Sequence, residues 1–262
     1  MFAEERQLLI AELVADHGRV TVSDLAERFS ITPETIRRDL DVLESVRQLR
    51  RVHGGAVAMN KLSMSEPSIA ERQTQRQDEK SRIATAAMAL IPTSRTASII
   101  LDSGSTTERL ADRLVTWSPS TPGDQLLVIT NALAIAALLA GNDEIQLHLL
   151  GGRVRGLTGA IVGEAATSQL DALRVDIAFI GANGVDAEFG FSTPDTVGAA
   201  IKSAMVRSAR RVVALADSSK LDEETLVRFA ALRDVDTLVT DARPSPLLAA
   251  ALAAADVEIV IA

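Results

Sequence analysis

The sequence predicts an α/β protein in two parts: a small helical domain ending in a hairpin over residues 1–57, and a larger α/β domain with a mostly parallel sheet over residues 78–262. Three observations predict it. Up to about residue 46, apolar residues recur at three- and four-residue spacing, the period of an amphipathic helix. From residue 98 onward, short apolar runs alternate with helical patterns, the signature of a largely parallel sheet. Between them, residues 58–77 are polar and weakly periodic, which suits a linker.

The first helix runs from Ala3 to Asp16, with Leu9, Ile10, Leu13 and Val14 on one stripe and His17-Gly18 at its end. The second starts at Thr21, whose spacing to Asp24 is that of a capping box with Asp in place of Glu. Val22, Leu25, Ala26 and Phe29 form its apolar face, and Ser30-Ile31 is a short turn. Thr32 is a good N-cap for the third helix, and Pro33 sits at its first position, where a missing N–H costs nothing. Ile36, Leu40 and Leu43 then fall on one side, with Arg38 nearly opposite and Arg37 and Thr35 flanking the stripe. Two helices across a tight turn, the second showing arginine outward, make a helix-turn-helix. Residues 48–56 read as two short strands carrying Arg50, Arg51 and His53 and finishing on Gly54-Gly55, which would be a wing.

Charge supports this reading only when counted locally. The chain carries a net −8, and residues 1–57 hold ten acids against eight arginines. Yet five arginines lie within residues 32–56, and residues 47–57 hold three arginines and no acid. Phosphate contacts need such local positive charge. A plainer reading exists, because Glu34 and Arg38 have the four-residue spacing of a surface ion pair. The cap, the preceding helix and the basic hairpin together favour DNA. The candidate DNA contacts are Thr32, Thr35, Arg37 and Arg38 at the major groove, and Arg50, Arg51, His53 and Gly54 in the wing. One small winged domain offers few contacts, so a homodimer or homotetramer is expected on DNA.

In the second part, residues 98–102, 126–130, 145–150, 176–180, 212–217, 236–240 and 257–262 are strand-like. Helical patterns at 106–114, 131–139, 197–209 and 246–255 separate most of them. Five of these strands are followed by small polar segments: DSGSTT, TN, GG, GANG and DSSK. Ligands of open α/β sheets bind beyond the carboxyl ends of the strands, so these loops define a candidate effector site. Its members are Asp102, Gly104, Ser105, Thr106, Thr107, Thr130, Asn131, Gly151, Gly152, Arg153, Gly181, Asn183, Gly184 and Asp217, with Lys202 and Lys220 as cations. Residues 104–107 also open a helix, whose N-terminal N–H groups favour a phosphate. Lysine is scarce, four against twenty-three arginines, and two of the four fall near these loops.

Several classes are excluded. Without cysteine there is no disulfide or thiolate site, and the three histidines lack ligand spacing, so no metal is expected. His148, inside an apolar strand, reads as a hydrogen-bonded core residue. No segment matches GxxxxGK[ST] or a strand-following GxGxxG, so no nucleotide cofactor is expected. The acidic first residues do not resemble a signal peptide, and no apolar run approaches a membrane span, so a cytoplasmic protein is expected.

Arg6, Ile10 and Val14, then Thr32-x-x-Thr35-Ile36-Arg37-Arg38-Asp39-Leu40 and Arg51-Val52-His53-Gly54-Gly55-Ala56, resemble the N-terminal signature and wing of DeoR-type bacterial transcriptional regulators. The five loop motifs, through Leu215-Ala216-Asp217-Ser218-Ser219-Lys220, resemble that family's effector domain in order, so the similarity covers nearly the whole chain. The resemblance implies a repressor whose second domain is related in fold to ribose-5-phosphate isomerases and senses a phosphorylated sugar, with fructose- or glucose-phosphate types most in keeping. Within the family the chain looks most like actinobacterial regulators of sugar uptake and phosphotransferase genes. It departs from the pattern at Arg47, where glycine is common, and at Gly198, where glutamate often precedes the helical lysine by four residues. The alternative is a sugar-phosphate isomerase, with Asp102, Asp195 or Asp217 as base and Lys202 or Lys220 as electrophile. An isomerase leaves the N-terminal domain without a role.

Overall fold

The computed structural model describes residues 3–17, 19–46, 48–52, 54–58, 67–93 and 95–262, without the side chains of residues 4, 15–17, 19, 50, 52, 57 and 58. Two units result, Met1–Leu62 and Ser63–Ala262.

The first unit contains α1 (Ala3–His17), β1 (Arg19–Thr21), α2 (Val22–Phe29), α3 (Pro33–Ser45), β2 (Leu49–Val52) and β3 (Gly55–Ala58). Thr21 and Thr32 cap α2 and α3 as their sequence positions predict, each side chain accepting from the backbone N–H three residues on. Ser30 closes α2 in the left-handed region, so only three residues separate the two helices. Ile10, Val14, Leu25, Ile36, Leu40 and Leu43 meet in one buried core. Under it lies a feature absent from the sequence reading: β1 pairs with β3, giving an antiparallel sheet of order β1-β3-β2. That pairing explains one glycine. A Cβ on Gly55 would stand 2.0 Å from the Val20 carbonyl oxygen, so no larger residue lets the strands close. Gly54, at φ +80°, makes the turn before it.

The second unit begins with α4 (Ile69–Thr74) and α5 (Gln77–Met88), so the expected linker is corrected over its last residues. Ser68 and Glu71 form a full capping box there, which fixes a helix too short to show periodicity. Next come β4 (Ala97–Leu101), α6 (Ser105–Leu114), β5 (Leu126–Thr130), α7 (Leu133–Leu139) and β6 (Ile145–Leu149). They are followed by the hairpin β7 (Arg153–Arg155) and β8 (Ala160–Val162), α8 (Glu164–Asp171), β9 (Val175–Gly181), β10 (Gly184–Asp186) and β11 (Gly190–Thr193). The chain ends with α9 (Thr196–Ser208), β12 (Ala209–Leu215), β13 (Val227–Ala230), β14 (Thr237–Thr240), α10 (Pro246–Ala254) and β15 (Glu258–Ile261).

Seven strands form one parallel sheet of order β15-β14-β12-β9-β4-β5-β6. Alternate residues of β9 feed its two faces: Ala178 and Ile180 pack toward α8, α9 and α10, Ile177 and Phe179 toward α5, α6 and α7. Burial on both faces is why the strands read as continuous apolar runs. After β4 the chain builds outward through β5 and β6, then returns to the other side of β4 with β9. The order therefore reverses between β4 and β9, and a crevice opens beyond their carboxyl ends. His148 corrects the core expectation: it is exposed, because β6 is an edge strand with an uncovered face.

Candidate functional site

Two connected cavities lie at that crevice. The first residue after β4 is Asp102 and the last of β9 is Gly181, and Gly181 N–H donates to Asp102 Oδ2 at 3.1 Å. Lys202, from α9, donates to the same carboxylate oxygen and, at 2.8 Å, to the Gly181 carbonyl. Asp102 is fully buried and Lys202 nearly so. The ion pair thus locks β4, β9 and α9 together at the switch point.

The outer cavity is lined by the start of α6 with Gly104, Ser105 and Thr106, by Gly181 and Asn183, and by Lys202, Asp217 and Lys220. Three of the five predicted loops therefore converge. No side chain caps α6, whose first residues line the cavity at the positive end of the helix dipole. The loop is held from beneath: Thr107 Oγ1 donates to the Asp102 and Gly104 carbonyls at 2.6 and 2.8 Å, and Ser103 N–H donates to Asn131 Oδ1 at 2.9 Å.

The remaining predicted residues stand elsewhere. Thr130 and Asn131 are buried beneath the Ser103 loop, Thr130 Oγ1 donating to the Leu101 carbonyl. Gly151 exchanges hydrogen bonds with the Gln169 side chain, and a Cβ on Gly152 would meet the Val162 carbonyl oxygen at 2.9 Å. Arg153 is exposed on β7. Gly184 is packed against the Glu223 carbonyl. These positions line neither cavity, whereas Thr107 and Asn131 act on the lining through the loop they brace.

What the sequence reading missed is the other wall. Arg72, Gln75 and Arg76, in the expected linker, and Lys80, just beyond it in α5, line the outer cavity. Arg76, left-handed at φ +51°, reaches Asp217, Asp241 and Ser218. Lys80 donates to the Arg72 and Gln75 carbonyls, closing the end of α4. Burial lowers the Lys80 pKa, opposed by the Asp217 carboxylate and assisted by Lys220 and Arg72. Five cations thus line one cavity with Asp217 around a helix N-terminus, an arrangement that accepts a multiply charged anion. The scarce lysines were the available signal: three of the chain's four line this cavity.

In the first unit, α3 presents Arg37 and Arg38 to solvent, with Thr35 half-buried beside the Thr32 cap. Glu34 pairs with Arg37 at 3.1 Å, not with Arg38 as the four-residue spacing suggested. Arg51 in β2 pairs with Asp41, and its N–H donates to Glu44 at 2.7 Å, tying the wing to α3. His53 and Arg47 lie outside the described residues, and so does the side chain of Arg50. Behind this face, Arg6 grips Asp39 with two hydrogen bonds of 2.6 and 3.1 Å.

Comparison with known families matches these two units separately. Residues 6–61 match the DeoR-like helix-turn-helix domain, and residues 75–242 match the DeoR C-terminal sensor domain. The chain belongs to the DeoR family. It is a DNA-binding transcriptional regulator with a sensor domain. This DeoR-family chain is 35% identical to the HTH-type transcriptional regulator FruR of Bacillus subtilis (strain 168), over 92% of each protein. It is 33% identical to the glycerol-3-phosphate regulon repressor of Escherichia coli (strain K12), over 90% of this chain and 89% of the relative. Among solved structures, ribose 5-phosphate isomerase A of Methanocaldococcus jannaschii matches 56% of this chain and 55% of its own, at 22% identity and a TM-score of 0.39. Among the described residues of the DeoR-family chain, no helix is long and apolar enough to cross a membrane, and no group of three acidic, His or Cys side chains could hold a metal ion.

Proposed function

We propose that this regulator is a repressor of sugar uptake or catabolism genes whose operator binding is controlled by a phosphorylated sugar in the outer cavity. The observation that carries it is the meeting of the α6 N-terminus with Arg72, Lys80, Lys202 and Lys220 at the switch point of a DeoR sensor domain. The relative named for a glycerol-3-phosphate regulon supports a phosphorylated carbohydrate, and a fructose or glucose phosphate suits the site. The ligand acts by binding the DNA-competent and DNA-released states unequally, and its effect cannot exceed that difference. The operator complex contains a homodimer or homotetramer, since one wing and one recognition helix offer few contacts. Asp195 and Asp217 serve as helix caps and Asp102 is held by Lys202, so the carboxylates an isomerase would need as base hold the fold instead.

Two measurements test this reading. A thermal-shift screen against phosphorylated sugars will show a concentration-dependent rise in melting temperature for at least one, because a ligand of the native state stabilises it by mass action. That ligand will also shift operator binding in a mobility assay; a set of sugar phosphates that does neither overturns the effector assignment. Arg38→Ala will weaken operator binding roughly ten- to a hundredfold at fixed salt, without changing the melting temperature, if this exposed side chain reads a base.

A further inference from the structure

α4 is the first helix of the sensor unit, and it is held differently from those that follow. None of its six residues is buried, whereas each later α-helix sends side chains into the core. Polar bonds fasten it instead. Ile69 N–H donates to the Leu157 carbonyl at 3.0 Å, and Gln73 Nε2 donates to Glu108 on α6 at 2.6 Å. Lys80, on α5, holds the Arg72 and Gln75 carbonyls at its end. Beyond it Arg76 turns left-handed, with Asp217 and Asp241 each 3.4 Å from its guanidinium. A non-glycine residue keeps that conformation only where its surroundings hold it. A helix with no buried side chain and few anchors opens more readily than the core.

We propose that α4 is a strap fastened by the effector. An anion in the outer cavity bridges Arg72 and Arg76, at the end of the strap, to Lys202, Lys220 and the start of α6 on the body, and so fixes the helix by which the chain enters the sensor unit from the DNA-binding unit. The inference rests on the reading of the outer cavity as the anion site. Arg72 lines both cavities, and Arg76 lines the outer one. With no anion between them, these two arginines confront Lys80, Lys202 and Lys220 across the cavity, and like charges oppose closure. Asp217 is the one acid among the described residues of that lining, and it already accepts from Ser219 N–H at 3.0 Å and Ser219 Oγ at 2.5 Å. It therefore has little left to offset five cations. A multiply charged anion replaces that repulsion with attraction from both sides. When the strap is loose, the body still offers Lys80, Lys202, Lys220 and the helix end, but Arg72 and Arg76 are no longer in place. The anion thus binds the fastened state more tightly, and that difference in affinity is what lets it shift the equilibrium.

Amide hydrogen exchange of the full chain, free and saturated with inorganic phosphate or glycerol 3-phosphate, tests this without any variant. Under a probe that titration calorimetry shows to bind, the amides of residues 72–75 will exchange at least about tenfold more slowly, while those of α10, which lines neither cavity, keep their rates. Unchanged exchange at residues 72–75 under a bound probe overturns the strap and leaves the anion site standing; equal slowing in α10 overturns it too. A covalent bridge tests the output. The chain has no cysteine, so Gln73→Cys/Glu108→Cys can be joined at one place by a short bismaleimide. With or without the probe, the bridged protein will bind an operator fragment, selected by this chain from random duplex DNA, within about threefold of the affinity of the probe-saturated wild type. The same variant before bridging will still respond to the probe. A bridged protein whose DNA affinity still shifts with the probe overturns the strap as the route to the DNA. If neither probe binds, the anion reading fails first and this inference with it.

Discussion

Lys202→Met will destabilise the sensor unit by about 3–5 kcal/mol, the typical loss when one partner of a buried ion pair is removed. The size follows from what is left behind. Asp102 is fully buried, and with Lys202 gone its carboxylate keeps only the Gly181 N–H at 3.1 Å while Oδ1 still has no partner. Methionine matches the lysine stem in bulk and can still lie against Phe229, whose ring centre is 5.5 Å from the ammonium, so packing is largely spared. The double variant Asp102→Asn/Lys202→Met will recover a large part of the loss, because it removes the stranded charge; denaturant unfolding of both variants gives the coupling directly. Equal destabilisation in the single and double variants would show that Lys202 acts through packing alone. Sugar-phosphate binding will be lost in both, since both lack an ammonium that lines the two cavities.

How far the sequence foretold this site depends on which physical signal each part leaves. The strands of the parallel sheet were legible because burial on both faces makes them continuous apolar runs, and their ends differ from the observed ones by only a few residues. Thr32 and Pro33 announced α3 by local chemistry alone. The short strands β1, β7, β8, β10 and β11, each three or four residues, left no period to detect, and β1 finds its partner β3 only through the tertiary fold. The order of strands across the sheet is likewise invisible in the chain. The TN and GG segments follow β5 and β6, which sit one and two places outward from β4, so they share the carboxyl edge but not the crevice. The α4 helix was missed for the same reason, since six residues show no periodicity, although the Ser68–Glu71 spacing was present to be read. With it went Arg72, Arg76 and Lys80, the larger part of the cationic wall.

Arg6→Ala will abolish operator binding by unfolding the first unit, although Arg6 lies in its interior. Arg6 and Asp39 are 8% and 4% exposed, and the guanidinium meets both carboxylate oxygens, with Gln7 donating to Oδ1 at 2.9 Å as a third contact. Removing the arginine strands the carboxylate of Asp39 between α1 and α3, at a cost of about 3–5 kcal/mol. A unit of this size commands only about 3–9 kcal/mol in total, at roughly 0.05–0.15 kcal/mol per residue, so the loss consumes most of its stability. The sensor unit has its own core and will keep its sugar-phosphate-induced thermal shift. Amide exchange will separate the cases: Arg6→Ala will expose Ile10, Ile36 and Leu40 to rapid exchange, whereas Arg38→Ala will lose DNA affinity with protection intact. Lost DNA binding with full protection in Arg6→Ala would place that arginine at the DNA instead of in the core. The two variants thus separate two uses of arginine in an acidic chain. Arg38 supplies charge to the surface, and Arg6 holds the helix that presents it.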